Sequence, residues 1–577
     1  MQQQQQQQQG PGLRVIPLGG LGEIGLNMMV FECGEEMLMI DAGLMFPEDY
    51  MLGIDVVIPD TTYVRANKEK LRGIVLTHGH EDHIGAIPFI VRDFPRVPIY
   101  GTRLTLELVR GKLREHGLLD DVELRLAVPR ETISVGRNFQ VEMIRVSHSI
   151  VDGVGLAIRT PLGVLIHSGD FKIDQTPTDG GMTDIAKFAE YGEAGVLALL
   201  SDSTNVEREG YTISEKEIGL TFERIFRECE GRIIVAVFSS NLERIQQVIN
   251  VAAMYDRKVL FSGKSMLANV GIAKDLGYVK IPENTEITSR DLGRLHDEEI
   301  VLITTGSQGE PMSALSRIAM DDHRQIKIKA GDTVILSSKF IPGNERAIAN
   351  IINQLYRRGA EVIYEKVSAI HTSGHANQEE LKLMINLTRP RYFVPIHGEY
   401  RHLIKHKQLA RKVGLSKEHI LLAEDGDVIE FTTKDDHTIG GRINGQVDIG
   451  RVYVDGKGVG DVGAIVLRDR RHLSEDGMLI AVMVVNGRTG ELMTGPDLVT
   501  QGFVFEEESA HILDEARKIV FNVATGAGNG RARAADGEKA PPRPILEIEA
   551  EIRRSLKKYF FKVIERRPLI LPIIIEM

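Results

Sequence analysis

Apolar residues recur along this chain in two different grammars. Up to residue 45 short apolar runs alternate with glycine turns. Residues 13–18 end at Gly19-Gly20-Leu21-Gly22, residues 27–32 follow, and residues 36–40 run into Asp41. Closely spaced strands with short turns predict an antiparallel sheet. Strands and helices then alternate. The spacing predicts helices over 84–93 and 104–116, and strands over 73–76, 140–146, 155–159, 164–167 and 196–200. Around residue 206 a repeat begins. Apolar β-rich runs at 232–238, 258–262, 300–304 and 333–337 each precede a helical stretch, at 242–255, 266–276, 311–320 and 345–358. Repeated β-then-α units imply a parallel sheet covered by helices, here a separate α/β domain inserted into the first. Runs at 392–396 and 428–431 read as a return to the first domain. Residues 441–463 are glycine-rich and read as a linker. From Gly477 a further α/β segment has strands near 479–485 and 570–575. Residues 525–544, rich in Gly, Ala, Arg and Pro, read as a mobile loop within it.

Length changes the picture first: 577 residues exceed one core and imply about three or four domains. The two cysteines, Cys33 and Cys229, lie far apart, so disulfides are not the stabilising device and a reducing cytoplasm is the expected setting. No apolar run approaches the roughly 18 residues of a membrane span. The tract Gln2 to Gln9 has neither the basic nor the apolar region of a signal peptide and reads as a disordered tail. A net charge of −11 argues against a generic nucleic-acid coat protein but leaves room for an enzyme holding RNA at a locally positive site.

The strongest chemical signal is Thr77-His78-Gly79-His80-Glu81-Asp82-His83, the pattern H-x-H-x-D-H just past an apolar run. That spacing suits a loop leaving a strand, with His78 and His80 turned to one metal and Asp82 and His83 to a second. Imidazole and carboxylate suit zinc or manganese. Four more candidates each follow a β-like run: Asp41, His148 in Ser147-His148-Ser149, Asp170 in His167-Ser168-Gly169-Asp170, and His397 in Pro395-Ile396-His397-Gly398. Residues so placed converge on one edge of a sheet, where α/β proteins build sites.

The series Asp41, HGHEDH, His148, Asp170 resembles the metallo-β-lactamase superfamily. The inserted domain, with Asp202 in Ser201-Asp202-Ser203-Thr204-Asn205, His375 in His371-Thr372-Ser373-Gly374-His375 and then His397, resembles its β-CASP branch of nucleases, nearest to the bacterial ribonuclease J family. The resemblance covers the chain from Leu13 to its end. It implies a metallo-β-lactamase αβ/βα sandwich with an inserted β-CASP α/β domain and a small C-terminal α/β domain. The boundaries read as 1–12 tail, 13–205 and 371–440 metallo-β-lactamase domain, 206–370 β-CASP domain, 441–476 linker and 477–577 C-terminal domain.

It further implies one metal on His78, His80 and His148, another on Asp82, His83 and His397, Asp170 bridging, and Asp41 orienting ligands from behind. His375, paired with Asp202, is the implied general acid, and Asp82 counts among the catalytic residues. His397 leans towards RNA, since DNA-acting members of the branch tend to lack it. Two loops resemble a pocket for a 5′-monophosphate: Ser239-Ser240-Asn241 between a strand and a helix, and His371-Thr372-Ser373-Gly374-His375. The implied activity is 5′-to-3′ exonuclease and endonuclease cleavage of single-stranded RNA in RNA maturation and decay. Two divalent ions, zinc or manganese, are the expected cofactors. A homodimer or higher oligomer through the C-terminal domain and an RNA degradation complex are expected partners, with no membrane. A structural calcium at Glu48 and Asp49 is a weaker expectation. The alternatives are a hydrolase of a small thioester or lactam and a non-catalytic RNA-binding scaffold.

Overall fold

The computed structural model describes residues 12–48, 50–178, 181–308, 310, 312–338, 344–364, 370–456, 458–503, 510–526 and 543–577. The Gln tract, Asp49 and most of the 525–544 loop lie outside them. The chain forms two compact units, Met1–Phe46 with Val57–Val452, and Pro47–Val56 with Tyr453–Met577.

In the first unit the opening strands Leu13–Gly19, Met28–Cys33 and Glu36–Ile40 pair antiparallel, as the glycine turns imply. Beyond Glu36–Ile40 the sheet continues parallel through Leu71–Val75, Ile99–Gly101 and Leu124–Leu126. On the other side it takes in Asp427–Thr433 and Ile439–Gln446, giving eight strands. A second sheet of six strands runs Tyr392–Ile396, Val196–Asp202, Gly163–His167, Val154–Thr160, Phe139–Arg145, Thr132–Val135. The two sheets face each other through one apolar core. Val15, Phe31, Leu38 and Ile40 come from the first; Val141, Met143, Leu156, Ile158 and Val394 come from the second. The alternate residues Ile144, Ala157, Ile166, Leu199 and Phe393 turn outward into a second core shared with Phe188, Met384 and Leu409 of three covering helices. Period-two alternation thus fills both faces of the inner sheet.

Between these halves, Lys258–Ser262, Ile300–Thr304, Ile233–Ala236, Thr333–Leu336 and Glu361–Ile363 form a wholly parallel sheet in that spatial order. Separate apolar clusters cover its two faces, as the β-then-α repeat implies. In the second unit Leu492–Gln501, Met478–Val485 and Leu569–Glu576 form a mixed sheet packed on the helices Ala510–Thr525 and Ile545–Ile564. The basic residues Arg553, Arg554, Lys557 and Lys558 all lie exposed on the second of these helices.

Two sequence expectations are corrected. The helix over 84–93 is broken at Gly85 into Glu81–Ile84, Ile87–Ile90 and a 3-10 turn. The linker over 441–476 holds strands Ile439–Gln446 and Arg451–Asp455 and the helix Ala464–Asp476. At Gly441 the glycine marks close approach rather than looseness. A Cβ on Gly441 would lie 2.8 Å from the Phe431 ring and 3.1 Å from that of Tyr392, so only glycine lets this strand pack there.

Candidate metal centre

Every expected ligand lies at or just beyond the C-terminal end of a strand. Asp41 follows Glu36–Ile40, the HGHEDH loop follows Leu71–Val75, and His148 follows Phe139–Arg145. Asp170 follows Gly163–His167, Asp202 closes Val196–Asp202, and His397 follows Tyr392–Ile396. Both sheets therefore bring these ends to one edge. Asp41 and His397 each take positive φ, +58° and +54°, which non-glycine residues rarely adopt. The backbone is bent sharply at both, as chains often are where a side chain is aimed at a site.

The side chains gather into four overlapping groups, of which two hold the expected ligands, His78, His80 and His148, and Asp82, His83, Asp170 and His397; the other two bring His375 to His148 and Asp170, and to Asp202 and His397. In the first, His80 Nδ1 lies 3.1 Å from His78 Nε2 and 3.1 Å from His148 Nε2. In the second, His83 Nε2 lies 3.3 Å from His397 Nε2, and Asp82 Oδ2 is 3.4 Å from His397 Nε2. Asp170 Oδ2 is common to both, 3.3 and 3.4 Å from His83 and His397, and 3.8 Å from each of His78 and His148. A tetrahedral shell with Zn–N of about 2.0–2.1 Å has an edge of about 3.3 Å, so these separations fit ligand atoms around an ion.

The outer nitrogens show why the inner ones are available. Asp41 Oδ2 accepts His83 Nδ1–H at 2.7 Å and the Thr77 hydroxyl at 2.8 Å. Having given its proton to a carboxylate, Thr77 Oγ1 accepts His78 Nδ1–H at 3.0 Å. His148 Nδ1–H goes to the Gly374 carbonyl at 2.8 Å, and His397 Nδ1–H to Thr204 Oγ1 at 2.5 Å. Four imidazoles thus have Nδ1 held by the protein and present Nε2 inward. Gly374 must be glycine, because a Cβ would sit 2.8 Å from the His148 ring. Thr77, Thr204 and the Gly374 carbonyl were not singled out for this part by sequence reading. Their only signal is that each stands inside a quoted motif, Thr77 ahead of HGHEDH, Thr204 beside Asp202 and Gly374 beside His375.

Electrostatics divides the two groups. Burial pushes His78, His80 and His148 below the usual imidazole range, His80 to about 4. Burial acts the same way on His83 and His397, but the Asp170 and Asp82 carboxylates outweigh it. His83 is held well above the usual range and His397 is pushed up to about 9. Asp82 and Asp170 are correspondingly lowered against the burial that would raise them. This is a place built to stabilise positive charge. Asp202 Oδ2 accepts from His375 Nδ1 at 2.8 Å, and the same ring nitrogen is 3.9 Å from Asp170 Oδ2. Burial would lower His375, yet Asp202 raises it, favouring the imidazolium form.

Four family models match this chain: the metallo-beta-lactamase superfamily over residues 22–180, the ribonuclease J beta-CASP domain over 230–355, the Zn-dependent metallo-hydrolase RNA specificity domain over 359–422, and the ribonuclease J C-terminal domain over 465–577. Ribonuclease J of Synechocystis sp. is 43% identical over 565 residues, 98% of this chain and 86% of that protein. The chain belongs to the ribonuclease J family. Ribonuclease J of Thermus thermophilus is likewise 43% identical, over 98% of this chain and 95% of that one. A crystal structure of a protein of unknown function from Enterococcus faecalis shares the fold, with a TM-score of 0.51 at 18% identity, covering 73% of this chain and 100% of its own.

The two turns expected to hold a terminal phosphate in this ribonuclease J family member are arranged unequally. Ser239 and Ser240 are half-buried ahead of the helix Leu242–Met254, where Asn241 caps by accepting Arg244 N–H at 3.0 Å. Ser239 Oγ accepts from Asn269 at 3.1 Å. His371, Ser373 and His375 are half-buried, but Thr372 is buried and its hydroxyl donates to the Ile213 carbonyl at 2.6 Å. The Thr372 hydroxyl proton is spent inside the protein, which corrects its place among phosphate-binding side chains. Glu48 accepts the Tyr50 hydroxyl at 3.3 Å, and the other half of the expected calcium site, Asp49, is outside the described residues. Among the described residues no helix is long and apolar enough to cross a membrane.

Proposed function

We propose that this protein is a metal-dependent ribonuclease that degrades single-stranded RNA from the 5′ end and also cuts internally, in RNA maturation and decay, preferring 5′-monophosphate ends. The observation that carries this reading is the pair of ligand groups meeting at Asp170 Oδ2, with the Asp202–His375 pair beside the same oxygen. His78, His80 and His148 would hold one ion, and Asp82, His83 and His397 the other, with Asp170 between them and Asp41 behind. Two divalent ions there, zinc or manganese, would supply charge neutralisation at the scissile phosphate and lower the pKa of a nearby water. Asp202 keeps His375 protonated, so that it can give a proton to the leaving 3′ oxygen and leave a 5′-phosphate product. Asp82 and His80, only half-buried, line the open side where the phosphodiester enters. Ser239, Ser240, His371 and Ser373, with backbone amides at the helix start, would bind the 5′-terminal phosphate.

The reading extends to a cytoplasmic setting, consistent with two free cysteines, and to association of copies through the C-terminal unit, within an RNA degradation complex. A small thioester or lactam as substrate is not favoured, given the match to an RNA specificity domain.

The test is to incubate purified protein and Mn²⁺ with single-stranded RNA bearing a 5′-monophosphate, 5′-triphosphate or 5′-hydroxyl, beside a DNA strand and a His80→Ala control. Fast release of mononucleotides from the monophosphate RNA is the expected result. Equal internal cutting of all three RNAs would remove the 5′ pocket. Cleavage by His80→Ala at the wild-type rate would remove the metal centre.

A further inference from the structure

The most deeply buried guanidinium in the described chain is not in the metal centre. Arg244, 0% exposed, stands in the first turn of the helix Leu242–Met254, directly after the Ser239-Ser240-Asn241 turn. Its Nε and Nη2 donate to Glu215 Oε2 at 3.1 and 2.7 Å. Its Nη1 donates to Ser337 Oγ at 2.7 Å and to the Ile370 carbonyl at 3.0 Å, and Ser337 Oγ donates to that same carbonyl at 2.6 Å. Ile370 is the residue before His371. On the other side, Glu215 Oε1 accepts from Lys172 Nζ at 3.3 Å, and Glu215 N–H donates to Asp174 Oδ2 at 2.9 Å. Lys172 lies two residues beyond Asp170. Its backbone N–H donates to the carbonyl of Ser147, the neighbour of His148. One buried, charged chain therefore joins both halves of the phosphate pocket to the flanks of two metal-centre residues.

Apolar residues of similar volume would stabilise such an interior at least as well, because desolvating charges opposes their attraction. What the guanidinium adds is direction. Its planar fork fixes Glu215, Ser337 and the Ile370 carbonyl at set angles, which a packed aliphatic side chain or a lysine does not do. We infer that Arg244, through Ser337 and Glu215, is a positioning residue that sets the distance between the 5′-phosphate pocket and the metal centre, and so makes cleavage depend on the 5′ end. This inference rests on the phosphate-pocket reading proposed above.

The experiment uses the full-length, metal-loaded protein and the variants Arg244→Lys and Ser337→Ala. Initial rates are compared on one RNA sequence carrying a 5′-monophosphate, carrying a 5′-hydroxyl, or closed into a circle. Melting temperature and metal content are measured on the same preparations. Arg244→Lys keeps the charge but cannot reach both Glu215 and Ile370. Its preference for the monophosphate over the hydroxyl end should fall about 10- to 100-fold, the scale of a misplacement near 1 Å. Ser337→Ala removes one arm at little cost to folding and should lose about fivefold of that preference. Cutting of the circular RNA should change far less, and the loss should appear mainly in kcat. Variants that keep the wild-type preference, or that lose linear and circular cleavage in parallel, overturn the inference. Wild type that is itself indifferent to the 5′ end refutes the pocket, and the positioning role with it.

Discussion

Asp41→Asn replaces one oxygen by nitrogen and changes no volume. The residue sits at φ +58°, where asparagine is tolerated as well as aspartate, so the backbone is not the variable. Asp41 Oδ1 accepts Thr77 N–H at 2.8 Å, while Oδ2 accepts from both His83 Nδ1 and the Thr77 hydroxyl. In the variant the amide oxygen stays with the Thr77 N–H, which can only donate. The new NH₂ then faces His83 Nδ1 and selects the tautomer carrying its proton on Nε2. That is the atom 3.3 Å from both His397 Nε2 and Asp170 Oδ2, so the proton stands where a metal would bind. Thr77 Oγ1 also loses its acceptor and, with it, its grip on His78 Nδ1. Losing such an outer partner typically costs about 10- to 100-fold in metal affinity, or about 1.4–2.7 kcal/mol. Chelated wild type and variant are titrated with Zn²⁺ or Mn²⁺ against a chromophoric competitor, and RNA cleavage is followed as a function of Mn²⁺. The affinity should fall by that factor, and the half-saturating Mn²⁺ for cleavage should rise in step, with the melting temperature of the chelated protein little changed. Wild-type affinity with an unmoved Mn²⁺ dependence would refute the tautomer reasoning.

Three further outcomes follow from the same geometry. Gly374→Ala places a methyl group 2.8 Å from the His148 ring and should lower the metal bound per chain below that of wild type; wild-type occupancy by metal analysis would contradict it. His375→Gln should slow RNA cleavage about 10²- to 10⁴-fold while metals stay bound, and much less on an ester with a p-nitrophenolate leaving group, which needs no proton; equal losses on both would remove the general acid. Glu215 is held at about 2 by Arg244 and Lys172 against the burial that would raise it, below its ordinary value of 4.5. A lowered carboxyl stabilises the fold fully above about pH 4.5 and loses that stabilisation as pH falls towards 2, by about 3 kcal/mol in all. In chelator, wild-type melting temperature should therefore drop more steeply than that of Glu215→Gln between about pH 5 and 3; parallel curves would show that Glu215 does not couple to folding.

The gathering of these side chains at one edge was legible because each is announced by its strand. A strand that ends in a buried edge needs a polar residue to turn out of it, and apolar runs such as 36–40, 164–167 and 392–396 make those endings visible. The parallel inserted sheet was legible for the same reason, since each β-rich run is followed by its helix. Glycine was the misleading residue. At Gly20 and Gly22 it takes the positive φ of a bend, +94° and +93°, but at Gly441 it marks a strand pressed against Phe431 and Tyr392, and no local feature separates the two cases. Hydroxyls misled in the same way: Thr372 looks like a phosphate ligand beside Ser373, yet its proton goes to Ile213, 159 residues away.

What remained illegible in the site has one physical origin. The HGHEDH loop carries four metal-competent side chains by itself, but a free imidazole exchanges its proton between two nitrogens, and these six residues alone do not choose for it. Here the choice is made from elsewhere in the chain: Asp41 for His83 from 42 residues away, the Gly374 carbonyl for His148 from 226, and Thr204 for His397 from 193. Asp41 and His83 follow neighbouring parallel strands of the first sheet, Thr204 and His397 follow neighbouring parallel strands of the second, and the Gly374 carbonyl comes with the return of the chain at His371 to His375. The motif therefore names the metal centre, while the folded edge of two sheets gives it the protonation pattern that a metal centre requires.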